Sequence, residues 1–179
     1  MSRKFQPERL NVQALAEDSQ TLSAATSLQH FQRIAQEAQG LAPDQVVQWE
    51  ASAELRPQGG AGDQIWLHLH AASEIPLTCQ RCLSPVAIPV EVDQWYRFVD
   101  NEDTAMAEDD KSEEDLLVLE PQFDLFNLIE DELLMALPLV PMHENCPVSP
   151  PMSAGESEIG TQAARPNPFA VLGKLKKSE

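Results

Sequence analysis

Ile65-Trp66-Leu67-His68-Leu69-His70 places an apolar side chain at every second position, which is the period of a strand with one buried face. Upstream, Val47, Trp49, Ala51 and Ala53 alternate with polar residues in the same way, and Gly59-Gly60-Ala61-Gly62 between the two runs has the composition of a hairpin-like turn. Downstream, Ile75-Pro76-Leu77-Thr78 leads into Cys79-Gln80-Arg81-Cys82, and Val86, Ile88, Val90 and Val92 lead out of it toward Trp95, Tyr96, Phe98 and Val99. This pattern predicts an antiparallel β-meander of about four strands, or a partly closed sheet. The cysteine pair falls at the bend between two of its strands.

Helical patterns flank the strands. Pro7 to Leu15 reads as short and amphipathic, and Leu28, Phe31, Ile34, Ala35 and Ala38 recur at helical spacing before Gly40. The first forty residues are therefore expected to be helical and to cover one face of the sheet. Asp124 opens the clearest helix, with its side chain placed to cap the first turn. Leu125, Leu128, Ile129, Leu133, Ala136 and Leu137 form its apolar stripe, and Pro138 ends it. Glu130, Asp131 and Glu132 are consecutive, so they fan over about 200° of the helix and cannot converge on one substrate atom. They read as a solvated face, with one carboxylate anchoring a neighbour, rather than as an acid-base site. The expected class is α+β.

With 179 residues, 42% of them hydrophobic, and 14 prolines, the chain suits a single domain over 1–179 with one core and flexible segments. Between Asp100 and Asp115 nine of sixteen residues are acidic and only Lys111 is basic. Such a tract has too little apolar surface to offset the cost of ordering, so a disordered loop is expected over 100–115, and its deletion should leave stability nearly unchanged. Residues 147–165, rich in Pro, Ser and Gly, read as a linker to a flexible C-terminal tail. At 166–177, Asn167 can cap a short docking helix with Pro168 in its first turn. Phe169, Leu172 and Leu175 share one side of it, and basic residues follow. That stripe suits a groove, either on a partner or on the same domain.

The opening residues lack an apolar core of signal-peptide length, and no run approaches the roughly 18 apolar residues of a membrane span, so a cytoplasmic location is expected. A formal charge of −17 with only 12 Lys and Arg disfavours salt-driven binding to nucleic acid. The same charge either simply keeps the protein soluble, the favoured reading from charge alone, or attracts basic partners, of which ribosomal and other RNA-binding proteins are the obvious cytoplasmic examples.

The three cysteines fall into two half-sites, Cys79-Gln80-Arg81-Cys82 and His143-Glu144-Asn145-Cys146. Each has the two-residue spacing that lets both donors reach one ion, so Cys79, Cys82, His143 and Cys146 are candidate ligands of a structural Zn2+. The competing reading treats the cysteines as small buried hydrophobes. A thiol oxidoreductase using the Cys79/Cys82 pair is the alternative function, but such a nucleophile normally sits at a helix N-terminus, and strand-like sequence flanks both cysteines here. Arg81, between the two thiols, is a candidate for gripping a partner's oxyanion, and Phe169 and Leu172 are candidates for partner binding in the tail.

Thr78-Cys79-Gln80-Arg81-Cys82, the run from Glu130 through Leu137-Pro138-Leu139-Val140-Pro141-Met142-His143, and Pro166-Asn167-Pro168-Phe169-Ala170-Val171-Leu172 together resemble, in order, the signature blocks of the bacterial YceD family. These are the large ribosomal RNA subunit accumulation proteins. The resemblance covers about Gln45 to Lys177. It implies a non-enzymatic role in keeping 23S rRNA at normal levels during synthesis, processing or assembly of the large subunit. Binding to a ribosomal protein or a pre-50S particle would serve that role, and neither a catalytic residue nor a small-molecule substrate is implied. Many members of that family carry further cysteines after the helix, where this chain offers His143 and Cys146.

Overall fold

The computed structural model describes residues 5–58 and 62–149. The chain divides into two units, Met1–Cys146 and Pro147–Glu179, and the sheet and both half-sites lie in the first. The centre of the glycine turn at 59–61, the linker beyond Ser149 and the block carrying Phe169 and Leu172 lie outside the described residues.

Five strands form one sheet in sequence order: β1 (Thr21–Ser27), β2 (Val46–Gln58), β3 (Gly62–Thr78), β4 (Pro85–Val99) and β5 (Asp115–Val118). The first three pairings are antiparallel and β4–β5 is parallel. The meander expected from the alternation is β2–β4, with Ala51 opposite Leu69, Ala71 opposite Val92 and Leu67 opposite Tyr96. These apolar positions share the inner face. There they form one core with Val12 and Leu15 of α1 (Val12–Glu17), Ile34 of α2 (Gln32–Glu37) and Leu125, Ile129 and Leu133 of α4 (Leu125–Met135).

The N-terminal forty residues correct the all-helical expectation. Helices α1 and α2 have only six residues each, and between them Thr21–Ser27 forms the edge strand β1. Ser19, with φ of 46°, turns the chain after α1, and Leu22, Ala24 and Thr26 stand opposite Ala51, Trp49 and Val47, with Leu22 and Thr26 half-buried and Ala24 exposed, a weak alternation that a helical count overlooks. Thr26 receives a hydrogen bond from Trp49 Nε1 at 2.9 Å, which ties the edge strand to the core.

The acidic tract corrects the disordered-loop expectation. It holds α3 (Glu102–Glu108), a single 3-10 turn (Asp109–Lys111) and β5, and so makes the crossover that a parallel pair requires. Asn101 caps α3 by accepting from the Thr104 amide at 2.9 Å, and Glu102 and Asp103 occupy the first turn where the helix dipole favours them. The stronger cause is Arg97 of β4, only 6% exposed. A buried guanidinium must find counter-charges, and this one donates to Glu114 at 2.6 Å, Glu108 at 2.8 Å and the Ser112 hydroxyl at 2.6 Å.

Helix α4 starts as its sequence indicates. The Asp124 carboxylate accepts from the amides of Phe126 (3.0 Å) and Asn127 (3.1 Å). Its acidic triplet is not a solvated face, because Glu130 and Glu132 are buried and only Asp131 is exposed. Glu130 accepts from the amides of Arg33 (2.6 Å) and Ile34 (3.2 Å) and from Arg33 Nε (3.0 Å). Since Phe31 gives α2 no side-chain cap, a carboxylate from another helix satisfies those first-turn donors. Arg33 also pairs with Asp131.

Candidate metal centre

The site is assembled from two bends. The first is the six-residue turn between β3 and β4, closed by Leu83 N donating to the Cys79 carbonyl and Cys79 N to the Ser84 carbonyl, both at 2.9 Å. Leu83 takes the left-handed conformation, with φ of 62°, so the chain reverses immediately after the second cysteine. The second is the segment beyond α4, which Pro138 keeps from continuing as helix. Gln80 N donates to the Pro141 carbonyl at 2.9 Å, which draws this segment against the first bend.

The donor atoms of Cys79, Cys82, His143 and Cys146 all lie within 4.8 Å of one another. Cys79 Sγ and Cys146 Sγ are 3.9 Å apart, and Cys82 Sγ lies 3.4 Å from His143 Nδ1. Tetrahedral zinc, with bonds of about 2.3 Å to sulfur and about 2.0 Å to nitrogen, needs sulfur–sulfur edges near 3.8 Å and sulfur–nitrogen edges near 3.5 Å. The cluster therefore fits a Cys3His metal site, and the four residues proposed from spacing are the four brought together.

Without an ion, their surroundings favour the ligating thiolate at Cys79 and Cys82 and the protonated, non-ligating form at Cys146 and His143. Burial pushes the Cys79 thiol up, but backbone amides of His143, Cys82 and Arg81 directed at its sulfur outweigh this and bring it down to about 5. The Cys82 thiol is lowered chiefly by the Ser84 amide. Burial raises Cys146, partly countered by Arg81. The neighbouring Cys79 and then Cys82 sulfurs raise the His143 imidazole.

Arg81 has a place that its sequence position did not reveal. Its Nε donates to Cys146 Sγ at 2.9 Å, and Nη2 donates to the carbonyls of His143 (2.9 Å) and Glu144 (3.3 Å). The guanidinium thus braces one half-site from the other, which suits a ligand-orienting group. A spacing argument could not show this, because the side chain is long enough to point either way. Cys79 is fully buried and lies after a strand rather than at a helix N-terminus, so its lowered thiol lacks the access that an attacking redox thiol needs.

The fold and site define an α+β protein in which the bend of a long β-hairpin meets the segment after a helix at a four-donor cluster that could hold a metal. The model of one family, described as "Large ribosomal RNA subunit accumulation protein YceD", matches residues 67–176, and the chain belongs to that family. A Haemophilus influenzae protein of the same description is 41% identical over 117 residues, covering 58% of this chain and 61% of that relative. The match thus spans less than two thirds of the relative's length. No solved structure matches the chain. The family's description names an accumulation factor and no enzyme, and no helix among the described residues is long and apolar enough to cross a membrane.

Proposed function

We propose that this chain is a non-enzymatic cytoplasmic factor supporting accumulation of 23S rRNA, acting in synthesis, processing or assembly of the large ribosomal subunit by binding a ribosomal protein or a pre-50S particle. Cys79, Cys82, His143 and Cys146 hold a structural Zn2+ in this reading, and the ion supplies a cross-link between the β3–β4 bend and the segment after α4. The observation that carries the reading is that this four-donor cluster lies within the family-matched stretch 67–176. Four protein donors leave no open position for water or substrate, so such a site keeps a shape rather than turning over a reaction. Partner contacts come from Arg81, whose side chain is exposed beyond its internal bonds, and from Phe169 and Leu172.

The test is the ratio of mature 23S to 16S rRNA in a strain lacking the protein. The ratio is expected to fall and to recover with the intact gene; an unchanged ratio under conditions where the protein is made would remove the assignment. Affinity capture at two salt concentrations, with and without RNase, separates the partners. A basic ribosomal protein retained after RNase supports protein contact, whereas complete loss points to RNA. Phe169→Ala is expected to spare the melting curve and weaken capture.

A further inference from the structure

The outer face of the sheet, opposite α1, α2 and α4, carries two half-buried tryptophans. Cross-strand rows over β2, β3 and β4 read Glu54-Trp66-Arg97, Ser52-His68-Trp95 and Glu50-His70-Asp93. The Trp66 and Trp95 rings meet edge to face with centroids 6.4 Å apart. The Arg56 guanidinium lies over both rings, 4.1 and 4.2 Å from their centroids, and Glu54 holds it at 2.5 Å. His68 stacks on Trp95 at 4.6 Å and shares a 2.6 Å hydrogen bond with Asp93, while His70 bonds Glu91 at 3.0 Å. Indole surface of this kind, left half open on a sheet face, commonly marks a contact surface.

The charges on the face select the occupant. Glu50, Glu54, Glu91 and Asp93 lie on the same face in the rows of the rings and beyond them, and among the described residues Arg56 is the cation over the rings, because Arg97 is buried and matched by Glu108 and Glu114. Single-stranded RNA could stack bases on the indoles, but its phosphates would meet four carboxylates and one guanidinium already paired to Glu54. An arginine side chain meets one like charge, Arg56, which Glu54 already neutralises, and is attracted by the remaining carboxylates. Indole faces attract a planar guanidinium, as they already do for Arg56, and neighbouring carboxylates can accept its N–H groups in pairs.

We propose that this outer face docks an arginine-rich segment of a basic protein, with Trp66 and Trp95 as the anchor and Glu50, Glu91 and Asp93 as the charged rim. The inference rests on the proposed role in large-subunit biogenesis for its setting and names the surface that role would use. The experiment titrates the full-length protein as purified with a labelled arginine-glycine peptide, a lysine-glycine peptide of equal length and a single-stranded RNA oligonucleotide. The arginine peptide should bind about fivefold or more tighter than the lysine peptide, with affinity falling as salt rises. Trp95→Val and, separately, Glu50→Gln/Glu91→Gln should each weaken it by about fivefold or more with the melting curve retained. The second variant alters exposed carboxylates, so it remains informative if Trp95→Val fails to fold. Equal affinity in folded variants, or tighter binding of the RNA than of the arginine peptide, would overturn the proposal. The 23S to 16S ratio in cells separates the two ideas: a ratio restored equally by intact protein and by Trp95→Val removes the surface and leaves the role, whereas a ratio indifferent to the intact protein removes the role.

Discussion

Cys82, bonded to nothing but its neighbours in the cluster and its own turn, gives the most direct test of the metal centre. Protein prepared without a histidine tag is expected to carry about one zinc per chain, and Cys82→Ser should lower both metal content and Tm. At metal well above Kd the bound ion contributes on the order of 3–4 kcal/mol, a Tm fall near 10 °C when it is lost. A chelator that leaves the melting curve unmoved would reject the site. Arg81→Lys keeps the charge but loses the fork that spans the Cys146 sulfur and two carbonyls, so zinc affinity should fall by about tenfold in competition with a chromophoric chelator. Glu132 offers a pH-dependent test elsewhere. Burial raises its carboxyl, with Asp115 and Asp131 adding to the effect beyond what the Tyr96 hydroxyl offsets. A raised carboxyl favours the protonated form in the fold, so the cost appears as pH climbs above the unfolded value of about 4 and is absent below it. Glu132→Gln is therefore expected to raise Tm at pH 7 and to match the parent near pH 3.5; equal Tm at both would show that the carboxylate is solvated. At this scale the four ligands were legible because two-residue spacing is a local constraint. The bracing by Arg81 and the burial of Glu130 and Glu132 were not, since they depend on what the fold places opposite.

Helix α3 shows how one side chain can order an element that composition assigns to solvent. The tract 100–115 has only Ala105, Met106 and Ala107 as apolar residues, and like charges crowd it, yet Arg97 collects Glu108, Ser112 and Glu114 and so fixes the crossover into β5. Deleting 103–114 should therefore destabilise the protein, contrary to what the tract's composition suggests. Breaking a buried pair costs about 3–5 kcal/mol; with Glu108 and Glu114 partly exposed, about 2–3 kcal/mol is the better expectation. The double variant Glu108→Ala/Glu114→Ala should show most of that loss in denaturant melts, and adding Arg97→Leu should recover part of it by removing the stranded charge. A melt unaffected by either change would mean that water already serves Arg97. The strands β2, β3 and β4 were legible because each alternates strongly over more than ten residues, and α4 because cap and stripe agree. Strand β1 was not, because Leu22, Ala24 and Thr26 give too faint an alternation between two helical runs.

On the scale of the whole molecule, the α+β class, the central meander and the family followed from the sequence, while the fifth strand's parallel pairing did not. Parallel pairing is a property of how a crossover returns, and no residue pattern in Asp115–Val118 announces it. Net charge disfavours salt-driven binding to nucleic acid but cannot say where a partner would sit, because the proposed face is assembled from three strands. The carboxylate of Glu130 on the amides of Arg33 and Ile34 reaches across 97 positions of chain, and this governs the order of assembly. A six-residue helix cannot persist alone in water, so α2 has nothing to complete its first turn until α4 is present. Glu130→Ala is accordingly expected to speed unfolding and leave the folding rate nearly unchanged, the signature of a contact made after the transition state; a slowed folding limb would place that contact earlier. During translation at about 5–20 residues per second, α2 would then wait on the order of 5–20 seconds for the residue that caps it. The start of this chain is synthesised first and finished late.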